Sequence, residues 1–294
     1  MDFHSPRTWA DALALKAEHP EAVPIAGGTD VMVELNFNRH RPPALIDISA
    51  VPELAQWDRA DGHLRVGAGV SYTRLVRELG PRLPGLAMAA RTVGSPQIRN
   101  RGTVGGNLGS ASPAGDAHPP LLAGRASVEL ASVRGTRLVP VEEFFTGPKR
   151  SVLAADELIS AFVVRPAPGP EQFCKVGTRN AMVIAVASFA ISLDPEHGRV
   201  GTGIGSAAPT PRRAAGAEEL LEAELSAAGM WERPRPLPDG LLHRFAELVT
   251  SAASPIDDVR GSAAYRRHAL AIMARRALSW AWADLVRNGN APCN

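Results

Sequence analysis

The chain of 294 residues is 45% apolar and 21% charged, an ordinary globular composition that excludes a disordered protein. A formal net charge of +2 is too small to argue for nucleic acid or an anionic membrane as partner. No apolar run approaches the roughly 18 residues of a membrane span, and the start Met1-Asp-Phe-His-Ser-Pro6 lacks a basic-then-apolar leader pattern, so the expected compartment is the cytoplasm.

Residues 3–20 read as a helix capped by Ser5 or Thr8, with Trp9, Ala12, Leu13 and the stem of Lys16 on its apolar face and Pro20 as its stop. Strand 22–26 follows, then a short helix over 30–35 and a second strand over 44–49, a β-α-β start. From about residue 51 the pattern changes: a glycine-interrupted strand over 63–70, helices over 73–79 and 85–93, then strands over 127–132, 137–141 and 156–164. Residues 167–170, Ala-Pro-Gly-Pro, read as a linker. Beyond it come strands over 172–176, 181–193 and 199–206 and helices over 214–228, 239–253 and 261–286. The expected fold is α+β: a first domain over 1–168, with subdomains of about 1–50 and 51–168 and the ligand between them, then a sheet-plus-helices domain over 169–294.

Two glycine pairs organise the chain, Ala26-Gly27-Gly28-Thr29-Asp30 and Thr103-Val104-Gly105-Gly106-Asn107. Paired glycines allow positive φ without a Cβ clash, so successive N–H groups can form a nest for an anion, and two nests facing one ligand suit a diphosphate. Neither pair continues into Gly-Lys-Ser/Thr, and neither carries the third glycine of a dinucleotide fingerprint. The run Gly201-Thr-Gly-Ile-Gly205 resembles such a fingerprint, but Pro209 and Pro211 forbid the helix that must follow, so it reads as close strand packing.

No nucleophile elbow or Cys-His pair is present, and the eight histidines show no metal spacing. Among them His118 stands out, because it sits in the loop downstream of the second glycine pair. The two cysteines, Cys174 and Cys293, are too few for a [2Fe-2S] cluster, which needs four thiolates, so any such centre belongs on a partner.

Four stretches taken together resemble one family: Ala26–Asp30; Ser95-Pro-Gln-Ile-Arg-Asn-Arg-Gly-Thr-Val-Gly-Gly-Asn107 running on to Pro120; Phe173-Cys-Lys-Val-Gly-Thr-Arg-Asn-Ala-Met-Val-Ile-Ala185; and Ser262–Leu270. Their order and spacing, over nearly the whole chain, are those of the FAD-binding medium subunit of the xanthine dehydrogenase and carbon monoxide dehydrogenase family of molybdenum hydroxylases. Within it the wording is nearest to bacterial xanthine dehydrogenase-type subunits.

The resemblance implies a two-subdomain FAD-binding domain of the vanillyl-alcohol-oxidase-like (PCMH) type. It implies that Ile25, Ala26, Gly27, Gly28, Thr29, Asp30 and Val31 cradle the pyrophosphate together with Thr103, Val104, Gly105, Gly106 and Asn107. Asp116 matches a carboxylate near the flavin, Lys175 a lysine that contacts the cofactor, and Leu158 an apolar contact. Val93 and Ser95 lie in the segment that approaches the isoalloxazine; Val93 stands where some members have an aromatic. The family often carries an acidic residue in the stretch that reads Thr178–Ala185 here, and this chain has none.

It further implies a small subunit with [2Fe-2S] clusters and a large subunit with the molybdenum cofactor, as a dimer of heterotrimers, with FAD passing electrons to NAD+ or another acceptor and no metal on this chain. A stand-alone FAD-dependent oxidoreductase and a flavin-free scaffold subunit remain alternatives at this point. Valine at Gly27 or Gly105 is expected to abolish flavin retention while leaving the chain folded.

Overall fold

The computed structural model describes residues 1–39 and 41–289; His40 and Cys293 lie outside the described residues. The chain begins with β1 (Asp2–His4), α1 (Trp9–Glu18), β2 (Val23–Ile25), α2 (Val31–Asn36) and β3 (Ala44–Asp47), and the three strands form a parallel sheet in the order β1-β3-β2. Thr8 caps α1 by accepting from the Asp11 N–H, and the helix buries Ala12 and Lys16. The Lys16 ammonium donates at 2.7 Å to the carbonyls of both Pro20 and Ala22, which ties the end of the helix to the start of β2.

The next stretch runs through β4 (Trp57–Ala60), β5 (His63–Gly67), α3 (Tyr72–Arg74) with a π-helical turn over Leu75–Leu79, α4 (Pro84–Thr92), α5 (Pro96–Arg101), α6 (Val104–Ser110) and α7 (His118–Ala123). It closes with β6 (Ser127–Ser132), β7 (Gly135–Pro140), α8 (Val141–Phe144), the ribbon β8 (Phe145–Gly147) and β9 (Arg150–Ser151), and β10 (Leu158–Val164). A five-stranded antiparallel sheet results, in the order β4-β5-β10-β6-β7. One apolar cluster joins it to the parallel sheet, with Ile46, Leu64, Leu108, Phe144 and Phe162 all buried in it.

The last stretch is an antiparallel sheet of β11 (Glu171–Val176), β12 (Ala187–Asp194) and β13 (Arg199–Gly205), followed by α9 (Ala215–Ala227), α10 (Asp239–Ala252) and α11 (Ala263–Gly289). Alternation along β12 sends Phe189, Ile191 and Leu193 into a core with Leu221, Phe245 and Leu278 of the three helices. Ala190 points the other way and meets Ala89 of α4 and Ala123 of α7. That second face is small by design of sequence. A Cβ on Gly201 would stand 1.9 Å from the Ala123 carbonyl oxygen, and one on Gly203 would stand 2.0 Å from that of Pro119. The glycine run of β13 is therefore a seat for α7, which agrees with its reading as close packing and specifies what packs there.

Two expectations change. The second glycine pair lies inside a helix, α6, and α7 begins at His118, so the loop expected after the pair is confined to residues 111–117. Pro119 and Pro120 fall in the first turn of α7, where a missing N–H leaves no hydrogen bond unmade, so they start this helix and do not break it. The strand expected from residue 181 begins at Ala187, and residues 181–186 form an irregular strap in which Met182 takes a φ of 51°.

Candidate cofactor site

The two glycine pairs face one cleft of about 1030 Å³, walled also by Tyr72, the Val93-Gly94 turn, Asp116, Leu158 and the strap residues Met182, Val183 and Ile184. This is the upper end of the range for small-molecule sites, as an extended ligand requires.

The glycines are required by close approach more than by dihedral freedom. Only Gly28 has a positive φ, at 76°. Gly27 lies so close to the end of α5 that a Cβ would sit 2.0 Å from the Arg101 carbonyl oxygen, and a Cβ on Gly105 would sit 2.5 Å from the Ala68 Cβ and 2.6 Å from its carbonyl oxygen. Gly106 differs, since the nearest atom to its Cβ position is the Thr103 hydroxyl at 3.2 Å. The expectation of two positive-φ nests is thus corrected to one turn with a left-handed glycine and one helix N-terminus pressed against Ala68, just past the end of β5. The N–H groups of Gly27, Gly28 and Thr29 donate to no backbone carbonyl among the described residues. At the second pair, the Gly106 N–H is already held by the Thr103 hydroxyl at 2.9 Å.

Asn107 joins α6 to the segment that leads into α7. Its side-chain carbonyl accepts from the Ala117 N–H at 3.3 Å, and its backbone carbonyl lies 3.1 Å from His118 Nε2. His118 is fully buried against Phe145, with ring centroids 4.5 Å apart, and burial pushes its pKa down to about 4. It is a neutral post under the site. Gly115 has to be glycine for this post to fit, because a Cβ there would stand 2.3 Å from the imidazole.

Above it, Asp116 and Lys175 form an ion pair of 2.6 Å whose side chains are 9% and 7% exposed. Lys175 comes from β11, and the seating of α7 on β13 brings the two together. Burial raises the Asp116 carboxyl pKa, against the opposing pull of Lys175. Its Oδ2 is occupied by Lys175 and approached by the Thr92 hydroxyl at 3.4 Å, while its Oδ1 is buried without a hydrogen-bond partner. A buried carboxylate oxygen with no donor is costly, and a ligand hydroxyl would satisfy it.

Of the residues expected at the site, Ala26 through Val31, Val93, Thr103, Gly105, Gly106, Asn107, Asp116 and Leu158 line the cleft. Ile25, Val104 and Ser95 do not: Ile25 packs beneath Gly28, Val104 is buried in the core, and the Ser95 hydroxyl accepts from the Ile98 N–H to cap α5. Lys175 acts from behind Asp116 and is not part of the wall. Met182, Val183 and Ile184 of the strap belong to the stretch 178–185 that the resemblance put at an edge of the site, and Tyr72 was not anticipated. Tyr72 lies where the chain reads as a plain helix start, and its phenol is buried with no partner.

Glycine loops, an orphaned carboxylate oxygen and an open face at Gly106 fit a cofactor with a diphosphate and a polyol, as FAD has. Fold and site thus define an α+β protein built to hold an extended dinucleotide cofactor. Comparison with known proteins names the family. The family described as "FAD binding domain in molybdopterin dehydrogenase" matches residues 1–167, and "CO dehydrogenase flavoprotein C-terminal domain" matches residues 172–281. The chain is 33% identical over 287 residues to the xanthine dehydrogenase FAD-binding subunit of Escherichia coli O157:H7, covering 94% of each chain. It is 30% identical over 282 residues to the nicotine 6-hydroxylase medium subunit of Paenarthrobacter nicotinovorans, covering 94% of this chain and 95% of that one. Among solved structures, carbon monoxide dehydrogenase from Hydrogenophaga pseudoflava superposes with a TM-score of 0.87 at 28% identity, over 97% of this chain and 98% of its own. The chain belongs to the FAD-binding medium subunits of the molybdenum hydroxylase family and is an oxidoreductase subunit.

Proposed function

We propose that this chain is the FAD-carrying electron-transfer subunit of a xanthine dehydrogenase-like molybdenum hydroxylase. It takes electrons from [2Fe-2S] clusters of a small subunit, and a large subunit with the molybdenum cofactor oxidises the substrate. NAD+ or another acceptor removes the electrons. Bound FAD supplies the conversion between one-electron input and two-electron output.

This chain's own residues then have binding and orienting roles. The free N–H groups of Gly27, Gly28 and Thr29 hold the diphosphate, with Asp30 and Val31 opening α2 beside it. Thr103 and Asn107 fix the second loop, and Gly106 leaves room for the cofactor. Asp116, held by Lys175, accepts a hydrogen bond from a ligand hydroxyl through Oδ1, and Val93, Leu158 and the strap exclude water. Residues 1–168 and 169–294 act as the FAD domain and the C-terminal domain, and the assembly is a cytoplasmic dimer of heterotrimers.

The observation that carries the reading is the buried Asp116–Lys175 pair with one carboxylate oxygen left for a ligand, in a cleft walled by two glycine loops. Purification through a tag on this chain tests it. The expected outcome is flavin and iron-sulfur absorption with two co-purifying polypeptides, one small and one large. Flavin with no partner contradicts the assembly, and no flavin contradicts the site.

A further inference from the structure

We infer that the Tyr72 phenol is a hydrogen-bond donor to the diphosphate of the bound dinucleotide, from the wall that joins the two glycine loops. The inference rests on the proposed assignment of the cleft to FAD.

Tyr72 is tied by backbone to the start of the second loop. Its N–H donates to the Gly102 carbonyl at 3.0 Å, and the neighbouring Ser71 pairs with Thr103 in an isolated bridge. Gly102 sits between the ring and the first loop, since a Cβ there would lie 3.4 Å from Tyr72 Cδ2 and 3.5 Å from Thr29 Oγ1. The ring thus packs on Gly102, across from Thr29 of the first loop, and Tyr72 is part of the wall of the cleft.

The side chain is 3% exposed, and its hydroxyl has no hydrogen-bond partner. A buried phenol usually finds one, because the apolar ring does not compensate for a dehydrated O–H. Phenylalanine would fill the same space at less cost. Burial, and then the charges of Asp116 and Asp30, hold the phenol well above its ordinary pKa, so at neutral pH it is a donor. Tyr72 belongs to the wall of a site made for an anion, so the acceptor for its unpaired donor is in the ligand.

The test is Tyr72→Phe in the full-length chain, stripped of flavin and titrated with FAD and, in displacement, with ADP, which carries the diphosphate but no flavin. A bond to a charged acceptor predicts that both ligands bind the variant about tenfold or more weakly. The flavin-free variant is expected to melt at the same temperature as the wild type or higher, since it no longer buries an unpaired hydroxyl. Equal FAD affinity in the two proteins overturns the inference, as does a lower melting temperature of the flavin-free variant with FAD affinity unchanged. Weaker FAD with unchanged ADP overturns the diphosphate assignment. A wild-type chain that binds no FAD overturns the cofactor reading itself, and this inference with it.

Discussion

The four glycines of the two loops are not equivalent, and their surroundings separate cofactor binding from folding. Valine at Gly27 or Gly105 would drive side-chain atoms into the Arg101 or Ala68 backbone, so both variants are expected to lose stability as well as flavin, by about 1–3 kcal/mol or more. This replaces the expectation that such variants stay folded. Gly106→Ala is the cleaner change, because its Cβ meets only the Thr103 hydroxyl and alanine favours a helix by about 1 kcal/mol over glycine. It is expected to unfold at the same denaturant concentration as the wild type or higher while retaining less FAD; an unchanged flavin content would remove Gly106 from the site. Lys175→Met leaves the Asp116 charge buried without its partner, which is expected to cost about 3 kcal/mol or more near neutral pH. The loss should shrink in mild acid, where a protonated Asp116 needs no counter-charge, and urea unfolding at both pH values reads the difference.

Among the elements, α7 carries the end of the site segment and sits on β13 through glycines. Gly203→Ala would place a Cβ 2.0 Å from the Pro119 carbonyl oxygen, so it is expected to lower stability by about 1–3 kcal/mol and to loosen FAD, although residue 203 is not in the cleft wall. Stability and flavin content unchanged by this substitution would contradict the seating. Strand β11 is linked to α4 in another way: Glu171 accepts from the Gly85 N–H at 2.8 Å and from the Ser192 hydroxyl at 3.3 Å, and burial pushes its carboxyl pKa up to about 7. A carboxyl raised from 4.5 binds more protons folded than unfolded, so its contribution to stability falls as pH rises from about 4.5 to about 7. Glu171→Gln has no such loss, and its stability relative to the wild type is expected to climb over that window and then level off. Parallel pH profiles would contradict the assignment.

Most strands and long helices were legible because their signals are local: Thr8 capping α1, the apolar run of β10, the proline-glycine linker before β11. Strand β1 has only three residues, too few to show a period, and helices α5, α6 and α7 are short and rich in Gly, Pro and Asn, which read as loop. Their helical state depends on what they pack against. The same limit applied to the site. The glycine pairs, Asp116, Lys175 and the stretch 178–185 were found through their motifs, whereas Tyr72 enters the cleft through tertiary contacts that no spacing announces.

At the scale of the molecule, four ion pairs among the described residues cross between the FAD-binding stretch and the C-terminal sheet and helices: Lys175 with Asp116 at 2.6 Å, Arg213 with Glu142 at 2.9 Å, and Arg125 with Glu218 and Arg165 with Asp194 at 3.5 Å each. Glu218 is 3% exposed and also accepts from the Thr202 N–H and hydroxyl at 2.8 and 2.7 Å, so the junction is anchored in the C-terminal core. With α7 seated on β13 and Lys175 paired with Asp116, this junction makes the cofactor site dependent on both halves of the chain. Among the described residues no helix is long and apolar enough to cross a membrane. The central claim, that FAD lies between the two glycine loops, is tested most directly by amide hydrogen exchange of the full-length chain with and without FAD. Slower exchange confined to residues 26–31, 102–107 and 112–118 is the predicted result. Binding with protection elsewhere, and none at these loops, would contradict it.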